Sequence, residues 1–228
     1  MSYHNGPRVV TSDIVAYFDA KNSKSYSGSG STWSSLSGNY VATKGGTQSP
    51  TYPQFNSGGW FNFTGGTLGT NYTNFTIPSI PSFSQLSVFV WYRTSNTSDS
   101  KTILRMNNSD FELSINGSTS VYAAAGTNYN DVGVNATQAN ATDGNWHNVG
   151  LTFTGTVLKS YFDTAQIATI TRASSTTTAA GTLNIGTRDD AYYQHFVGDI
   201  SIVLLYSRIL SDSEIAQNYN ALKGRHGI

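Results

Sequence analysis

One stretch constrains this chain more than any other: Phe196 to Leu222, FVGDISIVLLYSRILSDSEIAQNYNAL. Asp199 to Tyr206 alternates with period two, which places Ile200, Ile202, Leu204 and Tyr206 on one face. Val203 and Leu205 make the opposite face apolar too, and a strand apolar on both faces belongs inside a layered sheet. Then the period changes. Ser211-Asp212-Ser213-Glu214 has the spacing of a capping box, in which the Ser hydroxyl accepts from the Glu amide and the Glu carboxylate reaches back to the Ser amide. Leu210 and Ile215 stand where a hydrophobic staple would join them. Ile215, Tyr219 and Leu222 follow at helical spacing, and Gly224 is the expected stop of a helix over about residues 211–223. An interior strand therefore runs into a short helix that lies back on apolar surface.

A second stretch repeats the first half of that pattern. In Leu86–Arg93, LSVFVWYR, one face carries Leu86, Val88, Val90 and Tyr92, and the other Phe89 and Trp91. Around these two interior strands the chain reads as many short strands separated by turn signals. They are Ile14–Phe18, Trp33–Leu36, the Trp60-Phe61-Phe63 segment, and Phe75–Ile77 closed by Pro78 and Pro81. Next come a 102–106 and 110–115 hairpin, then 120–125, then Trp146–Thr154 paired with Val157–Phe162 across Gly155-Thr156. Ile167–Thr171 and Leu183–Ile185 complete the set. Tyr40–Thr70 is otherwise turn-rich, and Val9-Val10 reads as a short strand ending an extended arm. The expected fold is one all-β antiparallel sandwich over 13–228, with an arm over 1–12.

Composition narrows the partners. Charged residues are 11% of the 228, and the 13 Lys and Arg balance the 13 Asp and Glu. A neutral chain has no long-range pull toward nucleic acid or anionic membrane. The absence of cysteine excludes disulfides. Met1–Ser12 lacks the apolar run of a signal peptide, and no run approaches the roughly 20 residues of a membrane span. A polar chain of this kind is expected to reach an exterior surface by another route, such as assembly into a virion freed by lysis, or as part of a larger secreted protein.

Several segments in order carry a family resemblance: SVFVWYRT from Ser87, DGNWHNVGLTF from Asp143, SYFDTAQIA from Ser160, LNIGTR from Leu183, and the strand-to-helix stretch itself. Together they resemble the concanavalin A-like lectin/glucanase superfamily, in its laminin-G-like branch. The resemblance implies a two-sheet antiparallel jelly roll with a short C-terminal helix. Asp163-Thr164 departs from the Asp-Gly usual at that position, so a different turn type is expected there. The N-terminal segment GPRVVTSDIVAYFDAKNSKSYSGSGSTWSSLSG is similar to a module recurrent in virion structural proteins of tailed bacteriophages. That similarity implies a virion surface protein, a capsid decoration or fibre component. Its expected partners are other virion proteins such as the major capsid protein, in a lattice or homo-oligomer. The fold also hosts lectins and hydrolases, so site chemistry has to be weighed separately.

Catalytic signals are sparse. A glycosidase needs paired carboxylates. The two glutamates are Glu112, in a hairpin with Asp110, and Glu214, explained by capping. A solvated polar face accounts for Asp110 and Glu112. No Gly-x-Ser-x-Gly elbow occurs, Gly28-Ser29-Gly30 matches no phosphate loop, and His4, His147, His195 and His226 lack zinc spacing. His147, after Trp146, reads as structural. Asn-x-Ser/Thr sites such as Asn62 and Asn96 are frequent by composition alone. The chain is therefore expected to be non-enzymatic and to need no cofactor. Calcium occurs in many relatives, and Asp99, Asp131 and Asp189-Asp190 are its candidate ligands here by loop location.

The candidate binding loop runs from Arg188 through Asp189, Asp190, Tyr192 and Tyr193 to His195, with aromatics beside charged and amide groups. Tyr129, Asp131 and Trp60 join it if their loops share its end of the sandwich. Such a loop has two readings: it seals the sandwich or contacts protein, or it recognises host-surface glycan. The arm residues Tyr3, His4, Pro7 and Arg8 are the candidate docking contacts to a neighbouring virion protein.

Overall fold

The computed structural model describes residues 6–45, 53–65, 73–98, 101–106, 111–126, 133–188 and 194–228. Its strands are β1 (Ile14–Asp19), β2 (Thr32–Ser34), β3 (Val41–Gly45), β4 (Gln54–Asn56), β5 (Trp60–Thr64), β6 (Asn74–Ile80), β7 (Leu86–Arg93) and β8 (Lys101–Met106). Then follow β9 (Phe111–Asn116), β10 (Ser120–Ala125), β11 (Gly133–Thr137), β12 (His147–Phe153), β13 (Val157–Phe162), β14 (Ala165–Thr171), β15 (Gly181–Ile185) and β16 (Val197–Tyr206). Helix α1 spans Asp212–Leu222, and a 3₁₀ turn spans Lys223–Arg225.

The strands form two sheets that pack as a jelly-roll sandwich. The first has the order β14-β13-β12-β7-β16-β5-β4, with β1 also paired to β16. The second has the order β11-β10-β9-β8-β15-β6-β3-β2. All these strand pairs are antiparallel. Aromatic rings tie the sheets together. Trp33 of β2 lies 4.9 Å from Phe61 of β5 between ring centroids, and Phe61 lies 4.7 Å from Phe75 of β6. Each such buried ring contributes roughly 1.5–3 kcal/mol.

The two-sided apolar strands have a direct cause. Leu86, Val88, Val90 and Tyr92 face the core between the sheets, while Phe89 and Trp91 face outward under α1. The sandwich therefore has a third layer over part of the first sheet. In that layer Leu210, Ile215 and Leu222 cover Phe89, Trp91, Ile202, Leu204 and Tyr206. The capping box at Ser211 and Glu214 is complete. Arg208 grips the same Glu214 carboxylate through both terminal nitrogens, at 2.9 and 2.6 Å. These contacts hold the Glu214 pKa down to about 2: the Arg208 hydrogen bonds act most, then the Ser211 amide.

Several expectations need correction. Ile200 does not share a face with Ile202, Leu204 and Tyr206. The β16–β7 register shifts between Ile200 and Ile202, and the extra residue at Ser201 turns Ile200, Val203 and Leu205 into the core. Gly224 does not stop the helix in a left-handed cap. The chain tightens into the 3₁₀ turn, and the positive φ falls at Gly227 instead. Val9 and Val10 form no strand; the Val10 amide donates to Asn218 Oδ1 and the Val10 carbonyl accepts from Tyr206 Oη. Pro78 does not close β6, because the β15 register shifts around it and Ser79 takes a φ of 62°, the bulge geometry that admits proline. β3 and β4 lie inside the segment 40–70 that reads as turn-rich, and β11 lies in the stretch before Asp143 that reads as loop. Finally, Asp163 and Thr164 keep a glycine-type hairpin turn, with φ of 45° and 76°.

Candidate functional site

The outer face of the first sheet is only partly covered by α1. Beyond the helix, three strands bring polar residues into line. On β5 the outward residues Trp60, Asn62 and Thr64 alternate with Phe61 and Phe63 in the core. On β7 the outward series Phe89, Trp91 ends at Arg93. Asp199, the third residue of β16, lies directly opposite Asn62 on one side and Arg93 on the other. Register thus forces an Asn62–Asp199–Arg93 row, and hydrogen bonds hold it. Arg93 Nε donates to Asp199 Oδ2 at 2.7 Å, and Asn62 Nδ2 donates to Oδ1 at 2.9 Å.

Tryptophan frames this row. The Arg93 guanidinium lies 4.6 Å from the Trp60 ring centroid and 5.0 Å from that of Trp146, the spacing of cation–π contacts. The two indoles meet edge to face at 5.8 Å. Trp60 reaches this position over Gly58, where an added Cβ would come within 2.1 Å of its ring. Beside them stands His226, 4.4 Å from Trp146 and 4.7 Å from Trp91 between ring centroids, and Tyr219 stacks on Trp91 at 5.1 Å. The His226 pKa is pushed down to about 4, first by burial and then by the charges of Lys21, Arg225 and Arg93. It is therefore a neutral stacking group at pH 7.

The row divides two adjoining hollows. One, of about 570 Å³, is lined by Asn62, Thr64, Arg93, Ser95, Asn96 and Asp199 among others. The other, of about 350 Å³, is lined by Gln54, Asn56, Trp60, Asn62, Arg93 and Asp199. Half-buried Trp60 offers an aromatic face beside the amides of Gln54, Asn56 and Asn62, and the hydroxyls of Thr64, Thr94 and Ser95 line the first hollow. An indole face attracts polarised C–H groups while the polar rim fixes orientation.

The positions singled out in the sequence scatter. Trp60 is in the site, but beside Trp146 and Arg93 instead of the 188–195 loop. That loop is tied at its base: Thr187 Oγ1 meets His195 Nδ1 at 2.6 Å, the Phe196 amide donates to the Gly186 carbonyl, and Arg188 donates to Gln194. Asp189, Asp190, Tyr192 and Tyr193 lie outside the described residues, as do Tyr129, Asp131, Asp99, Tyr3 and His4. Pro7 and Arg8 are exposed and line a cleft of about 660 Å³ with Lys21, Asn220 and Arg225. Glu112 is not on a solvated face. It is 1% exposed on the second sheet, opposite Arg105, with Oε2 3.6 Å from Arg105 Nε and Oε1 accepting from Ser114 Oγ at 2.5 Å. Asp110 lies outside the described residues. Among the described residues no cluster of three His, Asp or Glu has metal-site geometry.

His147 has a positional task. Its Nδ1 lies 2.6 Å from Asp163 Oδ2 and its Nε2 lies 3.1 Å from Asp143 Oδ1. Burial opposes its charge, but the two carboxylates outweigh burial and raise its pKa. The turn that precedes Trp146 is thereby pinned to β12 and to the 163–164 turn.

Sequence reasoning missed Arg93, Asp199, Asn62, Trp146 and His226. For Arg93 the signal was present: it continues the outward series of a two-sided strand and is charged where its predecessors are aromatic. For His226 there was none, because its stacking depends on how the segment after the helix returns.

A family model described as concanavalin A-like lectin/glucanases superfamily, of the laminin G type, matches residues 64–216. The chain belongs to the concanavalin A-like lectin/glucanases superfamily. Trp60, Asn62 and His226 lie outside the matched segment of this superfamily domain, whereas Arg93, Trp146 and Asp199 lie within it. No curated protein matches the chain by sequence. Among solved structures, this concanavalin A-like chain is similar to the binding domain of botulinum neurotoxin serotype D/C, at 18% identity and a TM-score of 0.63, over 92% of this chain and 52% of that one. It is also similar to Trypanosoma rangeli sialidase in complex with sialic acid, at 14% identity and a TM-score of 0.68, over 98% and 35%. A third similar structure is a heptameric pentraxin from Limulus polyphemus, at 16% identity and a TM-score of 0.58, over 68% and 78%. The chain thus spans about half the toxin domain and about a third of the sialidase. At these identities the likeness is one of fold.

Proposed function

We propose that this chain is a glycan-binding module without catalytic activity, displayed on a bacteriophage virion surface. One observation carries the binding reading: a half-buried tryptophan in the wall of a polar-lined hollow, against Trp146 and the Arg93–Asp199–Asn62 row, which also borders a second hollow. A pyranose ring has an apolar face to lay on Trp60 and hydroxyls for the amides around it. Two of the similar structures, a botulinum neurotoxin binding domain and a sialidase, are complexes with sialylT and sialic acid, which agrees with this reading. The carboxylates favour binding over turnover. Asp199 has both oxygens engaged, Glu214 caps α1, and Glu112 is buried on the other sheet. The virion setting rests on the resemblance of the N-terminal segment to phage modules. Its partners would be the capsid or tail proteins and further copies of this chain.

A glycan array with the wild-type chain and Trp60→Ala tests the first part. Specific binding that falls at least tenfold in the variant is expected; binding indifferent to the change discards the platform. Mass spectrometry of purified particles tests the second, and absence of the chain from virions removes that setting.

A further inference from the structure

The surface around Trp60 is charged in a way that the chain as a whole is not. Arg93 lies over one side of the ring. Only its Nε is engaged, by Asp199, and among the described residues its two terminal nitrogens make no hydrogen bond. Lys21 packs against Gly59, the residue next to Trp60: a Cβ on Gly59 would come within 2.5 Å of the Lys21 Cβ. Lys21 Nζ donates to the Arg225 carbonyl at 3.3 Å, and with Arg225 and Arg8 it lines the cleft of about 660 Å³. Among the described residues that line the cleft none carries a carboxylate. His226, one residue beyond Arg225, links the cleft to the platform through its contact with Trp146 and feels the charges of Lys21, Arg225 and Arg93 together.

The carboxylates close by are already committed. Asp199 is held by Arg93 and Asn62, and fully buried Asp19 is paired with Arg225. Asp143, one residue before Gly144 of the hollow of about 570 Å³, is turned into His147. Four cations thus face two carboxylates across the platform and the cleft, in a chain whose formal net charge is zero. Lys21 and Arg8 are left over, both on the cleft, and Arg93 adds two terminal nitrogens that its pairing with Asp199 does not use. A neutral sugar has no use for them, whereas an acidic one has.

Building on the glycan-binding reading, we infer that the saccharide recognised here is anionic. It lies on Trp60 with acidic groups toward the outward nitrogens of Arg93 and toward Lys21 and Arg8 of the neighbouring cleft. Carboxylate and sulfate share this chemistry. The planar guanidinium of Arg93 accepts either through its two outward nitrogens, and Lys21 acts as a point charge.

The test titrates the full chain with three oligosaccharides of equal length: one neutral, one built of uronic acid and one sulfated. At low salt an acidic probe is expected to bind about tenfold more tightly than the neutral one, and the difference should shrink in 0.5 M salt, roughly, as surface charges are screened. The arm that binds tightest identifies the acidic group. In Lys21→Gln/Arg8→Gln, both exposed positions, the ratio of acidic to neutral affinity should fall about three- to tenfold. Trp60→Ala should weaken both kinds of probe together. Equal affinity for neutral and acidic probes, or an unchanged ratio in the double variant, overturns the anionic inference and leaves the platform standing. If none of the probes binds the wild-type chain, both readings fall.

Discussion

At the residue scale, two positions in one turn show strain put to use. Asp163 and Thr164 both take positive φ, and Thr is β-branched, a poor fit to that region. Asp163 is nevertheless placed to receive the Asn148 amide at 2.8 Å and to face His147. Thr164→Gly should therefore stabilise the chain by about 1 kcal/mol, seen as a higher urea midpoint. A lower midpoint would mean that Thr164 makes contacts outweighing its backbone cost. Asp163→Ala should cost about 1–3 kcal/mol, since it strands the Asn148 amide. His147 gives a pH dependence. Its folded-state pKa is raised, so its contribution is complete below the unfolded value of about 6.5 and is lost as pH rises through the higher folded value. Asp143 works in the opposite sense. Burial acts against its carboxylate, but the Asn145 amide and His147 hold its pKa low, so its share is lost as pH falls through that lowered value. Between pH 6 and 8.5, roughly, the wild-type urea midpoint should decline relative to His147→Gln. Parallel profiles would dismiss the linkage.

At the scale of elements, α1 and the platform are joined by one continuous chain of ring contacts: Tyr219, Trp91, His226, Trp146, Trp60. Ile215 anchors the helix beneath. Ile215→Ala should cost about 2–5 kcal/mol and, by loosening these ring contacts, weaken glycan binding even though it touches no sugar. Titration calorimetry at a temperature where the variant remains folded reads this; unaltered affinity would show that helix and platform are independent. Much at this scale was legible. The capping box, the staple and the two interior strands all follow from residue type and spacing. The Ser201 bulge was not, because a period-two count has no way to register one inserted residue, and so Ile200 was assigned to the wrong face. β3, β4 and β11 are short and mostly polar, so neither burial nor alternation marked them.

At the scale of the molecule, the sandwich is held by rings that cross between the sheets. Trp33, fully buried among Phe18, Phe61 and Phe75, is central to them. Trp33→Ala should cost about 3–5 kcal/mol, and calorimetry should show a lower Tm with a single transition retained. The superfamily was legible because its motifs recur in a fixed order. The site was less so. Trp60 was one candidate among nine, and its true neighbours Arg93, Trp146 and Asp199 come from segments whose adjacency only sheet order reveals. A loop composition rich in Tyr, Asp and Arg drew attention to 188–195, since composition reports chemistry and not position.

The proposed recognition surface draws single side chains from five places far apart along the chain: Trp60, Arg93, Trp146, Asp199 and His226. No short peptide cut from any one of them carries enough of it to compete for ligand, and an antibody raised against a linear segment would not block it. Loss of ligand capture on heating should coincide with loss of near-ultraviolet dichroism, so that carbohydrate retention on a column becomes an assay for correctly folded material.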